Sequence, residues 1–169
     1  MNDYIYNKVQ NIIRKFHTRN PFDILQGMHV VIIESDQYQS LKGYCFISCQ
    51  TVYTVINTFL PEEEKKIVAA HELGHILLHR RQLKMAPMKD SVLYDMTSQT
   101  EYEANMFAAD LLIDDKDIHA LSQENMDYFN MCKCLYTTPD VMSFKLFSLI
   151  RRGHAYDLPI GMDSRFLGK

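Results

Sequence analysis

The chain has 169 residues, 47% hydrophobic and 23% charged, which is enough apolar matter for a folded domain and too much for a disordered one. A formal net charge of −3 and a pI of about 6.1 give no global basic field of the kind that holds nucleic acid. With 6 Gly and 5 Pro, a fibrous or low-complexity chain is also excluded.

In chain order, Ile5, Val9, Ile12, Ile13 and Phe16 recur at helical spacing and predict an amphipathic helix from Tyr4 to Phe16. Asn20-Pro21 reads as an N-cap with Pro at the first helical position, and Gly27 closes that short helix. Residues 28–33, 43–48 and 51–57 are apolar and β-branched, and predict three strands of a small antiparallel sheet. Pro61 opens a strong helix. Glu62, Glu63 and Glu64 lie in its first turn, at the positive end of the dipole, and Arg80 and Arg81 at its far end. Residues 83–97 read as a loop broken by Pro87, and 98–113 as a second strong helix. Weaker helical pieces follow at 115–122 and 125–135, and Thr138-Pro139 starts a last helix that Gly153 ends. No repeat or linker divides the chain. The predicted class is α+β: a small antiparallel sheet packed with helices, in a single domain over 1–169. Its parts are an N-terminal helix plus sheet (1–60), a helix pair (61–113) and a helical C-terminal segment (114–169).

Cys45, Cys49, Cys132 and Cys134 lack paired Cys-x-x-Cys spacing and read as single core thiols in a reducing compartment. Met1-Asn2-Asp3-Tyr4 carries no basic stretch leading into an apolar one, and the apolar runs are far too short to span a bilayer. A cytoplasmic protein is expected, with no membrane and no direct nucleic-acid binding. His17, His29, His119 and His154 have no partner spacing and read as surface or structural residues.

The first strong helix contains His71-Glu72-Leu73-Gly74-His75. Two histidines four apart share one helical face, and their imidazoles can converge on one metal ion. Glu72 projects beside that face, where it can take a proton from a metal-bound water instead of binding the metal. The pattern arises by accident in roughly one chain of this length in a few hundred. The bland alternative is a pair of half-exposed histidines on a surface helix. Gly74 costs the helix about 1 kcal/mol relative to Ala, so a packing or access reason is expected there. A third ligand is needed. His79 lies about 12 Å along the helix axis from His71, too far to join it, and reads as a helix-end residue supporting the ligands from behind. The 98–113 helix offers Glu101, Glu103 and Asp110. Spacing leaves Glu101 and Glu103 both open, and Ser98-x-x-Glu101 also fits a capping box. Tyr53, in the strand before the active helix, is a candidate donor to a developing oxyanion, if the strand's alternation turns it inward.

The stretch from Val55 through Asn57, Pro61 and Glu62 to His71-Glu-Leu-Gly-His75 and His79 resembles the ImmA/IrrE family of metallopeptidases, as does Glu101-Tyr-Glu-Ala-Asn105-Met-Phe-Ala-Ala-Asp-Leu-Leu-Ile. The resemblance covers roughly residues 20–152. It implies a zincin-like active-site helix, His71 and His75 as metal ligands, Glu72 as the catalytic glutamate and Glu101 as third ligand, with Glu103 the fallback. Asn105 falls one turn beyond Glu101, placed to orient the site from behind. Family members often carry Pro after the Leu-Leu pair. Here Leu111-Leu112-Ile113-Asp114 lacks it, which concerns the helix end and not the chemistry. The implied cofactor is Zn2+, with another divalent ion such as Mn2+ as the variant. The implied function is an endopeptidase of phage or mobile-element type. It would cut a helix-turn-helix transcriptional repressor and relieve repression of a mobile element or stress regulon. The competing expectation is a non-catalytic anti-repressor that binds the repressor stoichiometrically, with metal as a structural staple. The intact Glu72 argues against it, since a staple needs no base.

Overall fold

α1 (Tyr4–Phe16) turns Val9 and Ile12 into the interior, and α2 (Pro21–Gly27) follows at once. The Asn20 side chain accepts the Phe22 N–H at 3.2 Å and so fixes where α2 begins. These elements come from a computed structural model that describes residues 3–90 and 98–157. At the end of α2 the Met28 N–H returns to the Ile24 and Leu25 carbonyls, and His29 takes a left-handed φ of 59°. Strand pairing therefore starts three residues later than the apolar run beginning at Met28 predicts.

β1 (Val31–Ser35), β2 (Gly43–Ser48), β3 (Thr51–Asn57) and β4 (Met88–Asp90) make a four-stranded sheet in the order β1-β3-β2-β4. Cys49 and Gln50 join β2 to β3 with φ of 47° and 64°, both positive as a type I′ hairpin turn requires. The antiparallel expectation holds for β2 with β3 and β2 with β4, but β1 pairs with β3 in parallel. The sheet is therefore mixed. The chain reverses twice between β1 and β3, which restores its direction, and the more deeply buried β3 sits inside the sheet between β1 and β2. Strand β4 lies inside the segment predicted as loop. It has three residues, follows Pro87 directly and shows no apolar alternation, so its existence depends on the open edge of β2. Residues 91–97 of that predicted loop lie outside the described residues, as do 158–169 of the C-terminal segment.

α3 (Glu62–Leu78) packs on the inner face of the sheet. It stops at Leu78, because His79 leaves the helical region (φ −116°, ψ 29°), and Arg80 and Arg81 belong to the one-turn α4 (Arg80–Leu83). α5 (Gln99–Leu112) lies along α3. α6 (Asp115–Gln123), α7 (Tyr128–Cys134) and α8 (Pro139–Arg151) complete the chain, capped by the side chains of Asp114, Asp127 and Thr138. α7 starts at Tyr128 and not at Asn125, whose φ of 54° is left-handed.

A continuous apolar core runs from Val9 in α1 to Leu149 in α8. Beside it lies a buried ionic cluster. Lys145 Nζ is 3.0 Å from Asp110 Oδ1 and 2.5 Å from Asp115 Oδ1, and Lys145 and Asp110 side chains are each 1% exposed. Ser148 Oγ donates to Asp110 Oδ2 at 2.8 Å, and Arg152 Nη1 to Asp115 Oδ2 at 2.6 Å. The Tyr6 hydroxyl donates to Asp115 at 3.0 Å, and the Arg152 guanidinium lies 3.7 Å over the Tyr6 ring. Burial works against an ionised Asp115, but Arg152 and Lys145 outweigh it and hold the carboxyl well below the usual range. The cluster ties α1, α5, α6 and α8 together. Among the described residues no helix is long and apolar enough to cross a membrane.

Candidate metal centre

The centre forms where α3 crosses α5, and Gly74 sets how close they come. A Cβ on Gly74 would meet Ala104 Cα at 3.1 Å, Ala104 O at 3.2 Å and Phe107 Cβ at 3.3 Å. The glycine's packing role is thus visible: it lets two helix backbones nearly touch. Gly74 lies between His71 and His75 on one helix, and Ala104 between Glu101 and Asn105 on the other, so the contact brings all four side chains together.

The His71 and His75 side chains are 1% and 0% exposed. Their Nε2 atoms stand 3.0 Å apart. Glu101 Oε2 is 3.2 Å from His71 Nε2, and Glu101 Oε1 is 3.4 Å from His75 Nε2. One donor atom from each residue lies within 4.8 Å of the others, close enough to share one ion. The Glu101 side chain is 17% exposed, so the cluster is open to solvent on that side. Ser98 Oγ accepts the Glu101 N–H at 3.2 Å, making its half of the capping box, while the Glu101 carboxylate lies against the imidazoles. Behind His71, Nδ1–H donates to Asn105 Oδ1 at 2.8 Å. In the neutral ring this leaves the Nε2 lone pair pointing at the shared centre. An imidazole lone pair and a carboxylate crowded on one point suit a divalent cation.

Glu72 is fully buried between α3 and β2. Its Oε1 is 3.3 Å from where a Cβ on Gly43 would stand, and that Cβ would also collide with Val68 Cγ1. Gly43 is thus the gap that admits the Glu72 carboxylate, a role the sequence reading did not assign. A glycine inside a strand run was the available signal. Asn57 likewise went unassigned. Its Nδ2 donates to the Tyr38 and Leu41 carbonyls at 2.9 and 3.0 Å, which holds the loop that leads into Gly43.

His79 closes the end of α3 and reaches back to His75, with their Nδ1 atoms 3.0 Å apart. Its Nε2–H donates to Glu103 Oε2 at 3.0 Å. Burial pushes the His79 pKa down, against the opposing pull of Glu103. Glu103 therefore faces His79 and not the shared centre, and Asp110 is engaged by Lys145 at the other end of α5.

Tyr53 is not brought to the centre. The β2–β3 register puts Gly43, Cys45, Thr54 and Ile56 on the face covered by α3. Tyr53 alternates to the other face, where its ring stacks on Phe46 at 4.9 Å between centroids. The core-thiol reading holds for Cys45 and Cys132 and fails for Cys49 and Cys134, which are exposed. Cys49 sits in the hairpin turn, and Cys134 on the outer side of its helix. Burial pushes the Cys132 thiol up to about 11, as expected of a packed, unreactive group.

A peptidase family described as the IrrE N-terminal-like domain matches residues 26–132. Over 107 residues the chain is 34% identical to "Uncharacterized immunity region protein 2" of Bacillus phage phi105, covering 63% of this chain and 66% of that protein. It is 29% identical over 112 residues to "Metallopeptidase ImmA" of Bacillus subtilis (strain 168), covering 66% of this chain and 64% of that one. The chain spans just under two thirds of the length of each relative.

Proposed function

The chain belongs to the IrrE N-terminal-like peptidase family, and from that premise we propose that it is a zinc-dependent endopeptidase that cuts a helix-turn-helix transcriptional repressor of a mobile element. The observation that carries the reading is the convergence of His71, His75 and Glu101 on one point beside a buried glutamate. Two imidazoles and a carboxylate are the protein ligands of a catalytic zinc site, which keeps a fourth position for water. When bound, such an ion supplies Lewis acidity to the water and to the carbonyl under attack. The chain's own residues do the rest. Glu72 accepts the proton of the attacking water and returns it to the departing amine nitrogen. Asn105 orients His71, and Gly43 leaves the room in which the Glu72 carboxylate sits. The names of the relatives, one an immunity-region protein of a phage and the other a metallopeptidase, support peptidase chemistry in a phage-related setting, and the repressor as substrate rests on the family resemblance. The same reading treats 1–169 as a single peptidase domain, since the core runs through all three predicted parts.

The test is incubation with the repressor encoded beside the gene, with and without a chelator, followed by intact-mass analysis. Two fragments whose masses sum to the repressor plus one water are expected, and none with chelator. Glu72→Gln should lower the cleavage rate by about 10²–10⁴-fold while zinc binding is kept. Release of the repressor from its operator by Glu72→Gln protein, with no fragments from either form, would instead establish the stoichiometric anti-repressor.

A further inference from the structure

His79 is too far along the helix to share an ion with His71, yet it is 3% exposed and bonded at both ring nitrogens. Glu103 Oε2, 3.0 Å from His79 Nε2, can accept but not donate, so His79 Nε2 carries a proton. In the neutral ring His79 Nδ1 is then the acceptor, and the hydrogen between the two Nδ1 atoms belongs to His75. A neutral His75 protonated at Nδ1 has its lone pair on Nε2, the atom 3.0 Å from His71 Nε2 and 3.4 Å from Glu101 Oε1.

We infer that Glu103, acting through His79, is a positioning residue that locks His75 in its Nδ1–H form and makes Nε2 a stronger donor to a divalent cation. The inference rests on the reading of His71, His75 and Glu101 as ligands. The two imidazoles are supported differently: His71 ends on the neutral amide of Asn105, His75 on a carboxylate two hydrogen bonds away. Gln99 Nε2 donates to the other oxygen of Glu103 and holds it in place. Carboxylate support behind a ligating histidine raises its basicity, and loss of such support costs about 10–100-fold in metal affinity.

The experiment measures zinc affinity by competition with a chromophoric chelator, alongside the melting temperature of the metal-free protein. The Glu103 side chain is 30% exposed, so its replacement leaves the core closed. Glu103→Ala should weaken zinc binding about 10–100-fold with little change in metal-free melting. Glu103→Gln, which keeps an acceptor but loses the charge, should recover part of that loss. His79→Ala and the double variant His79→Ala with Glu103→Ala should bind alike, because residues acting in series are not additive. Unchanged affinity in Glu103→Ala, with binding abolished in His71→Ala, overturns the relay and leaves the ligand set standing. Additive losses, or a loss matched by equal destabilisation of the metal-free protein, overturn it as well. If wild type and His71→Ala bind zinc equally, the ligand reading itself fails and the relay falls with it.

Discussion

Replacing Gly74 by alanine tests whether the separation of α3 and α5 sets the metal centre. The new methyl would stand 3.1 and 3.2 Å from Ala104 Cα and O, and 3.3 Å from Phe107 Cβ. Two of these obstacles are backbone atoms, so relief means displacing α5 by a few tenths of an ångström and not turning a side chain. Alanine gains about 1 kcal/mol of helix propensity over glycine. Overpacking costs about 1–3 kcal/mol. The net expectation is a loss of about 0–2 kcal/mol, or a fall in melting temperature of up to about 8 °C for a domain of this size. The effect on metal should be larger than the effect on stability. Outward movement of α5 lengthens the 3.2 and 3.4 Å approaches of Glu101 to the two imidazoles. A site held too loosely loses function before its fold is lost. Zinc affinity should fall about 10-fold or more, read by chelator competition, and Gly74→Val should fall further on both measures. If Gly74→Ala melts above wild type and binds zinc as tightly, the crossing has slack and the close approach does not set the site.

Gly43→Ala should cut peptide cleavage about 10-fold or more while sparing zinc affinity, because the added methyl faces Val68 and Glu72 and not the ligands. Equal losses of both would place the effect on the whole fold. Tyr53→Phe should leave kcat/KM within about twofold, since the ring stacks on Phe46 across the sheet from α3; a 100-fold loss would return the hydroxyl to the chemistry. Asp115 carries the pH prediction. Its folded pKa is depressed, so its contribution is full above the unfolded value near 4 and is lost as pH falls below that toward the folded value. Asp115→Asn should cost about 3 kcal/mol at pH 7 in urea unfolding, and the gap to wild type should narrow from pH 4 to pH 2. A gap that stays constant over that window would mean the carboxylate charge is not what stabilises.

The sequence made the local parts of this molecule legible and the long-range parts only in outline. Caps such as Asn20 and Ser98, and the apolar periodicity of α1, are written in neighbouring residues and could be read directly. The His71-to-His75 spacing is of the same kind, since a helix converts four positions into one face. Choosing between Glu101 and Glu103 was different, because both flank apolar positions on α5. What separates them in space is the rotation of α5 against α3 about Gly74 and Ala104, which no local pattern encodes. The parallel pairing of β1 and the existence of β4 depend on which strand edge lies open, again a long-range matter. Tyr53 was undecided for a simpler reason: alternation gives two faces but does not say which one the helix covers.

Lys145 and Arg152 have a bearing on what a minimal active fragment could be. The family match ends at residue 132, and both cations come after it, while the aspartates they neutralise come before. Tyr6 and Val9 precede the match on the other side. A protein trimmed to the matched stretch would keep every proposed ligand yet lose α1 and α8, the two helices that cover Asp110 and the apolar side of α5. The proposed chemistry and self-sufficient folding thus have different borders in this chain, and a protein cut at the first should precipitate.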